Sequence, residues 1–231
     1  MKRVLTPELI DVLPANDPRA VRSRRDILRL NRINQSDALM ARLLRRVAGN
    51  PAPQMITDLG SGDGLFMLHV ARRLARHWRN VSIRIVDTQP AVAPETFAAF
   101  KQLDWQAEVV KADVSIASDW SRNGERHFYM ANLFLHHFNE DQLRGMFQRI
   151  AEHASSFVAI DPVRGRAQHF VSRCLWLFGC GAVTRHDGPA SFRAGFRDQE
   201  LSALWPANGT WKLDERQFGP FSHTFIATRA R

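Results

Sequence analysis

Cysteine is scarce in this sequence, and long apolar runs are absent from it. Cys174 and Cys180 are the only cysteines, too few for a disulfide framework or a zinc site. We therefore predict no metal centre and a reduced, cytoplasmic protein. No stretch is long and apolar enough to span a bilayer, and the first residues lack the apolar core of a secretory signal.

Acidic residues are the minority among the charged ones. Lys and Arg number 32 against 23 Asp and Glu, which gives a formal net charge of +9. A basic surface can bind RNA, anionic lipid or an acidic carrier protein, and it can also be a solvated surface without a dedicated partner. The charge is spread along the chain, with its densest cluster between Arg19 and Arg32, so these alternatives stay open, peripheral membrane contact included.

Strand and helix patterns alternate along the chain, and this alternation predicts an α/β fold. Strands are predicted at 55–59, 81–87, 105–113, 127–132 and 156–161, and a closing hairpin at 211–216 and 224–228. Helices are predicted at 19–48 with a break near 34–37, then at 65–74, 91–103, 140–153 and 164–180. Residues 1–18 and 181–200 are predicted to be irregular. Such alternation favours a doubly wound, Rossmann-like, mostly parallel sheet, and the hairpin adds an antiparallel last strand.

A glycine-rich turn follows the first predicted strand, in the segment Asp58-Leu-Gly-Ser-Gly-Asp-Gly64. Glycines at 60, 62 and 64 let a ligand approach bare backbone, where the N–H groups at a helix start are available as donors. Asp87 lies 25 residues beyond Gly62 and ends the next predicted strand. There its carboxylate can accept the hydroxyls of a ribose, so the pattern predicts a nucleotide-type site.

The acidic residues of the turn indicate which cofactor it binds. A dinucleotide fingerprint has its third glycine three residues after the second, whereas here Asp63 and Gly64 follow Gly62 directly. The carboxylates of Asp58 and Asp63 would repel a pyrophosphate and suit a cationic ammonium or sulfonium. No P-loop lysine-serine pair is present. S-adenosyl-L-methionine fits this pattern best.

Four segments resemble motifs of the class I S-adenosylmethionine-dependent methyltransferases. They are Asp58 to Gly64, Val86-Asp87, Lys111-Ala-Asp113-Val and Asn132-Leu-Phe-Leu-His-His-Phe138. The resemblance covers residues 55–161 and extends to the closing hairpin. It implies a seven-stranded sheet with helices on both faces and the cofactor at the carboxyl ends of the strands.

The resemblance also implies a role for each matching residue. The methionine end of the cofactor would be lined by Asp58, Gly60, Ser61, Gly62, Asp63 and Gly64. Asp87 would hold the ribose with Thr88 beside it, Asp113 and Val114 would meet the adenine, and Asn132 and Leu133 would lie beside the sulfonium.

Three histidines are candidates for removing a proton from a hydroxyl acceptor. His136 and His137 follow the fourth predicted strand at the mouth of the site, and an imidazole there can take a proton near neutral pH. His186, beside Asp187, is the third candidate. Each could instead support a loop, pack against the cofactor or be a solvated residue. Arg193 and Arg197 could bind an acidic substrate group or lie on the surface.

The apolar segment 164–180 could wall an aromatic or lipid-like substrate pocket, or it could be core. No Asn-Pro-Pro-aromatic tetrad and no proline-cysteine motif is present, and these absences argue against methylation of nucleic-acid bases. Residues 17–26, 182–187 and 193–197 resemble small bacterial stand-alone methyltransferases of polyketide or phenolic-lipid pathways.

Together these observations predict methyl transfer from S-adenosylmethionine to a small-molecule hydroxyl, with a helical cap at 1–50, a methyltransferase domain at 51–231 and a substrate-side insertion at 164–200. The alternatives are an RNA methyltransferase that uses the basic surface, and a catalytically inactive cofactor-binding partner subunit. The oligomeric state is not predicted.

Overall fold

The computed structural model describes residues 1–49, 52–116, 120–121, 127–207 and 209–230. The strands are β1 Met55–Leu59, β2 Val81–Asp87, β3 Trp105–Lys111, β4 His127–Asn132, β5 Ser156–Pro162, β6 Trp211–Phe218 and β7 Ser222–Arg229. The helices are α1 Leu9–Val12, α2 Pro18–Ile33, α3 Ser36–Ala48, α4 Leu65–Leu74, α5 Pro94–Gln102, α6 Glu140–His153, α7 Arg166–Ser172 and α8 Ala182–Ala194.

The seven strands form one sheet in the order β3-β2-β1-β4-β5-β7-β6. β1 to β5 are parallel, and β7 runs antiparallel to both β5 and β6. The predicted doubly wound sheet with an antiparallel last strand is therefore confirmed. The chain order reverses where β4 joins β1, and such a switch point opens a crevice at the carboxyl ends of the strands.

The register of the sheet brings three predicted site segments to that crevice. Leu59, the last residue of β1, pairs with Val86 of β2 and with Ala131 of β4. Because all three strands run in the same direction, the residues that follow them leave the sheet at the same edge. The glycine turn, Asp87 and Asn132 therefore meet there.

Two apolar layers cover the faces of the sheet. One packs α3 and α4 on the sheet, with Leu44, Val70 and Ile56 fully buried. The other packs α6 and the segment around Trp205 on the opposite face, with Phe147 at its centre. Each large side chain buried in this way contributes about 1.5–3 kcal/mol. The boundary predicted at residues 50 and 51 lies outside the described residues, and the cap assignment stays a prediction.

Helix α2 docks on the rest of the protein through polar contacts. The Asp26 carboxylate accepts hydrogen bonds from Gly181 N at 2.7 Å and from Thr184 Oγ1 at 3.1 Å, both on or beside α8. Ser23 Oγ lies 3.1 Å from the Thr184 hydroxyl. Ser23 and Asp26 are buried. Although α2 is a polar helix, one of its faces therefore packs against the protein.

The sequence interpretation was wrong in three segments. Residues 1–18 were expected to be irregular, yet Leu9–Val12 form α1. Residues 181–200 were expected to be irregular, yet 182–194 form α8, with Pro189 inside it. The Gly188-Pro189 pair concealed the helix in the sequence. Contacts with α1, α2 and α7 stabilise it in the fold. Segment 164–180 divides into α7 and a 3₁₀ turn at Leu175–Phe178 instead of forming one helix. No helix of the described residues is long and apolar enough to cross a membrane.

Candidate cofactor and acceptor site

The glycine turn has the backbone geometry that its composition predicts. Gly60 and Gly62 have φ of +70° and +58°, in the left-handed region where a side chain is strained. A Cβ atom at Gly60 would enter the Phe134 ring, 2.0 Å from its nearest carbon. At Gly62 it would meet only the Arg24 side chain, at 3.7 Å. The turn therefore packs closely at Gly60 and opens towards a cavity at Gly62.

Asp87 is held against the glycine turn by backbone donors. Its Oδ2 accepts a hydrogen bond from Gly62 N at 2.9 Å, and its Oδ1 accepts one from Gln89 N at 2.8 Å. These two contacts fix the carboxylate at the end of β2 and leave further lone pairs free to accept from a ligand. This is the position in which a ribose would be bound.

A cavity of about 650 Å³ lies at the carboxyl ends of the strands. Ten of the predicted cofactor residues line it: Gly60, Ser61, Gly62, Asp63, Asp87, Thr88, Asp113, Val114, Asn132 and Leu133. Asp58 and Gly64 do not line it. Gly64, with φ +71°, is instead the N-cap residue directly before α4.

Asp58 is buried under the turn. Its Oδ2 accepts a hydrogen bond from Ser61 Oγ at 2.5 Å. Burial raises the pKa of Asp58 to about 7, the Ser61 hydrogen bond opposes this, and the nearby charge of Asp87 adds to it. Burial also raises the pKa of Asp63, although Leu65 N donates to its carboxylate. Both carboxylates would be stabilised by a cation in the cavity.

Asn132 and Leu133 follow β4 and complete this side of the cavity. The Asn132 Oδ1 atom is buried and has no hydrogen-bond partner, which is costly unless a ligand supplies a donor. Leu133 has φ +53°, so the chain turns sharply after Asn132. The open backbone at Gly62, the buried carboxylates and the unpaired Asn132 oxygen all fit a cationic nucleoside cofactor.

Arg24 of α2 also reaches the glycine turn. Its guanidinium donates to Ala15 O, and its side chain lines the cavity beside Gly62. Its charge lowers the pKa of Asp63 and partly offsets the effect of burial. The sequence analysis noted residues 19–32 as a basic cluster and residues 17–26 as a family-like segment, but it did not single out Arg24 as a site residue.

His136 is a buried member of a charged network. Its Nδ1 lies 2.7 Å from Asp161 Oδ1, and its Nε2 lies 3.4 Å from Glu8 Oε1, an ion pair too long for a good hydrogen bond. Burial lowers the pKa of His136, but Asp161 and Glu8 outweigh it and raise the pKa to about 9. Burial likewise opposes the ionisation of Glu8, yet His136 and other partners lower the Glu8 pKa. At neutral pH this imidazole is therefore protonated.

His137 is the more accessible of the two histidines. Its side chain is 20% exposed, and its Nδ1 lies 3.0 Å from Asp11 Oδ2 of α1. Both histidines line the cavity. Atoms of Glu8, His136 and His137 lie within 4.8 Å of one another, a spacing that could hold a metal ion. The His136 imidazolium already balances part of the carboxylate charge, and we interpret the cluster as an ion network.

Asp187 anchors the N-terminal segment instead of serving the cavity through His186. Its two carboxylate oxygens accept hydrogen bonds from Leu9 N at 2.9 Å and Ile10 N at 3.0 Å, at the start of α1. His186 Nδ1 lies 2.8 Å from the same carboxylate, but the His186 side chain is 53% exposed and does not line the cavity. The side chains of Glu8 and Asp11 therefore reach the histidine pair from an anchored N-terminal segment.

The sequence analysis predicted a helical cap at residues 1–50 but not the contacts that its first residues make. Residues 1–18 read as irregular, and only the long-range contacts of Glu8 and Asp11 reveal their place. Asp161, the next-to-last residue of β5, could have been found by the rule that also identified Asp87, since both lie at the carboxyl ends of parallel strands. Arg193 and Arg197 are exposed, lie outside the cavity lining, and Arg197 pairs with Asp198 at 2.8 Å.

Part of the cavity wall is apolar. Side chains of α2, α7, the 3₁₀ turn and α8 supply it, namely Ile27, Leu28, Leu30, Val171, Leu175, Phe178 and Phe192. The cavity lining therefore has a polar, acidic half and a hydrophobic half. This division suits a charged cofactor on one side and an apolar acceptor on the other.

No protein-family model and no curated protein matches the sequence. Solved structures do match the fold. The first is an O-methyltransferase family protein from Burkholderia thailandensis, with TM-score 0.58, 17% identity, and coverage of 94% of this chain and 61% of that one. The pyocyanin biosynthetic protein PhzM has TM-score 0.60, 17% identity, and coverage of 93% and 60%. This chain thus spans about three fifths of the length of both proteins.

A third match is closer in size. The plantazolicin methyltransferase BpumL, solved in complex with SAH, has TM-score 0.61 and 11% identity, with coverage of 94% of this chain and 92% of that chain. At sequence identities this low, the matches show similarity of fold alone. Together with the strand order, they confirm the resemblance found in the sequence at that level: this protein has the fold of the class I S-adenosylmethionine-dependent methyltransferases.

Proposed function

We propose that this protein transfers a methyl group from S-adenosylmethionine to a hydroxyl of an aromatic or lipid-like small molecule. One observation carries the proposal: ten residues predicted from sequence to hold this cofactor line a single cavity that also has an apolar wall. The methyltransferase fold of the chain supports it. A chain that matches only part of some neighbours can have a different acceptor from theirs, so the acceptor class rests on the cavity.

Bound S-adenosylmethionine would supply a methyl group already activated by a positively charged sulfur. Asp87 would accept hydrogen bonds from the ribose, and the unpaired Asn132 oxygen would face the charged centre. Asp58 and Asp63 would stabilise the positive charge of the ligand. Arg24 would pair with the methionyl carboxylate, since it is the cavity-lining cation beside Gly62.

His137 is our candidate for the base that takes the acceptor's proton. Asp11 binds its Nδ1, so the remaining ring nitrogen can accept a proton, and the carboxylate stabilises the imidazolium that results. His136 is protonated at neutral pH and would act as a positioning residue and positive charge. His186 lies outside the cavity lining and has no part in this proposal.

A labelled-methyl screen tests the function. The protein is incubated with S-adenosylmethionine labelled on its methyl group and with phenols, fatty-acyl acceptors or total RNA. Label in a phenol or a hydroxylated lipid is the expected result. Label in RNA alone would replace the proposal with an RNA methyltransferase, and cofactor binding without label in any acceptor would indicate an inactive partner subunit.

His137→Gln tests the base. We expect a kcat reduced about 10²- to 10⁴-fold, with the KM for cofactor little changed. His77→Gln is the matched control, because His77 is exposed in the turn that follows α4 and lies outside the cavity lining. Full activity of His137→Gln would remove His137 from the mechanism.

A further inference from the structure

An apolar surface lies at the mouth of the cavity, on α7 and the 3₁₀ turn that follows it. Five large hydrophobic side chains are exposed within nine residues: Phe170 at 69%, Val171 at 40%, Trp176 at 59%, Leu177 at 64% and Phe178 at 46%. We call these five residues the 170–178 surface. Contiguous exposure of this kind marks an interaction site on a soluble domain.

The 170–178 surface is continuous with the interior of the cavity. Val171 and Phe178 are exposed and also line the cavity, and the neighbouring Leu175 is buried in its wall. A molecule resting on the surface would therefore contact the apolar wall of the cavity without crossing the polar half. The surface and the cavity form one apolar path.

Positive charge surrounds this surface. Between Asp161 and Asp187 the sequence has no acidic residue, while Arg166, Arg173 and Arg185 are exposed there. Arg22 of α2 adds another cation, since its guanidinium donates to Gly179 O at 3.5 Å. Among the described residues these four arginines make no ion pair.

The combination of aromatic side chains and unpaired arginines identifies the partner. Trp and Phe side chains enter the boundary between headgroups and acyl chains, and arginines pair with anionic headgroups. A second copy of the chain is a poorer partner, because a two-fold contact would place these arginines near their own copies. We propose that the 170–178 surface docks on an anionic lipid bilayer, and that a lipid-like acceptor enters the cavity from the membrane at Val171 and Phe178.

The entry of the acceptor rests on the proposed function, whereas docking does not, and the two are measured separately. Flotation with vesicles of phosphatidylcholine alone, or with about a third phosphatidylglycerol, measures docking without turnover. We expect binding to the anionic vesicles, several-fold weaker binding to neutral ones, and loss of selectivity at high salt. Cofactor binding and methylation of a water-soluble acceptor are assayed without vesicles.

The double variant Trp176→Ser/Leu177→Ser should bind anionic vesicles at least tenfold more weakly. It should keep the wild-type melting temperature and S-adenosylhomocysteine affinity, because both side chains are exposed and neither lines the cavity. Val109→Ser is the control, since Val109 is an exposed hydrophobic residue on the edge strand β3. Arg173→Gln/Arg185→Gln should lower binding to anionic vesicles about tenfold while sparing neutral ones.

Three results would overturn docking: no flotation of the wild type, equal flotation of the Trp176→Ser/Leu177→Ser protein, or a dimer that this variant abolishes. The last would assign the surface to a second copy of the chain. If flotation occurs as expected but no acceptor is labelled, docking stands and the proposed function fails. If an acceptor is labelled but the protein does not float, the proposed function stands and docking fails.

Discussion

Asp58 links burial, charge and cofactor binding at a single residue. A carboxylate that is 2% exposed and lies near a second one is poorly stabilised in the empty protein. Its pKa of about 7 means that much of it is protonated at neutral pH. A ligand cation would favour the ionised form and release the proton. The residue is thus matched to a positively charged ligand.

The affinity for S-adenosylmethionine should therefore depend on pH. Below pH 7 a proton must leave Asp58 before its carboxylate can stabilise the cation. The Kd should therefore rise by up to about tenfold for each unit by which the pH falls. Above pH 7 the Kd should no longer change with pH. Titration calorimetry between pH 5.5 and 8.5 measures this, and Asp58→Asn should bind weakly with a flatter profile. An unchanged profile in the variant would assign the proton to another group.

The same residue should reduce stability at high pH in the absence of cofactor. Its folded pKa is raised above the ordinary value of 3.8, so its favourable contribution is complete below about pH 4 and is lost as pH rises through 7. Asp58→Asn should therefore raise the melting temperature of the empty protein at pH 8. Thermal melts at pH 5 and pH 8 check the sign, with the larger gain expected at pH 8.

Arg24 allows a matched comparison within one helix. Arg24→Ala should raise the Kd for S-adenosylhomocysteine about tenfold, or ~1.4 kcal/mol, by removing the cation beside Gly62. Arg25→Ala is the control, because Arg25 is exposed and does not line the cavity. Equal affinities of the two variants would exclude the proposed carboxylate contact.

At the scale of elements, the N-terminal segment at residues 4–13, which we call the lid, contacts both the histidines and Gln89. Asp187 caps α1 from α8, while Glu8 and Asp11 reach the two histidines. On the cofactor side, Gln89 Nε2 donates to Asp11 O at 3.2 Å. Four residues of helix cannot be stable alone, so these contacts hold α1 in place.

Asp187→Ala should release this lid. Loss of the cap costs about 1 kcal/mol, so we expect faster hydrogen exchange across residues 4–13 and a lower kcat, with the sheet unaffected. His186→Ala is the control, since it removes only the exposed partner of the same carboxylate. If residues 4–13 stay protected in Asp187→Ala, contacts such as those of Arg3 with Ala194 O hold the segment instead.

At the scale of the whole molecule, ligand binding should stabilise the folded protein by mass action. At S-adenosylhomocysteine concentrations about 100-fold above Kd, the gain is ~2.7 kcal/mol, or about 5–10 °C in melting temperature for a chain of this size. Asp87→Ala should abolish the shift, whereas Glu95→Ala, an exposed acidic residue of α5, should keep it. No shift of the wild type at millimolar ligand would contradict the cofactor assignment.

The sequence by itself determined the sheet and the cofactor half of the cavity. These features depend on local order: a buried strand, a glycine turn and a helix follow one another, and acidic residues or Asn132 end parallel strands. In a parallel sheet the ends of neighbouring strands must meet at one edge, so local patterns such as Asp58 to Gly64 and Asp87 translate directly into a site.

Only the tertiary structure decided the acceptor half. Glu8 and Asp161 lie 153 residues apart in sequence, and both contact His136, which no periodicity can indicate. The two carboxylates, and not the residue type, keep His136 protonated against the opposing effect of burial. Helix α8 contains Pro189, which argues against a helix in the sequence, so its stability depends on the elements that pack against it. Long-range contacts and burial set the chemistry here, and both arise only when distant segments pack together.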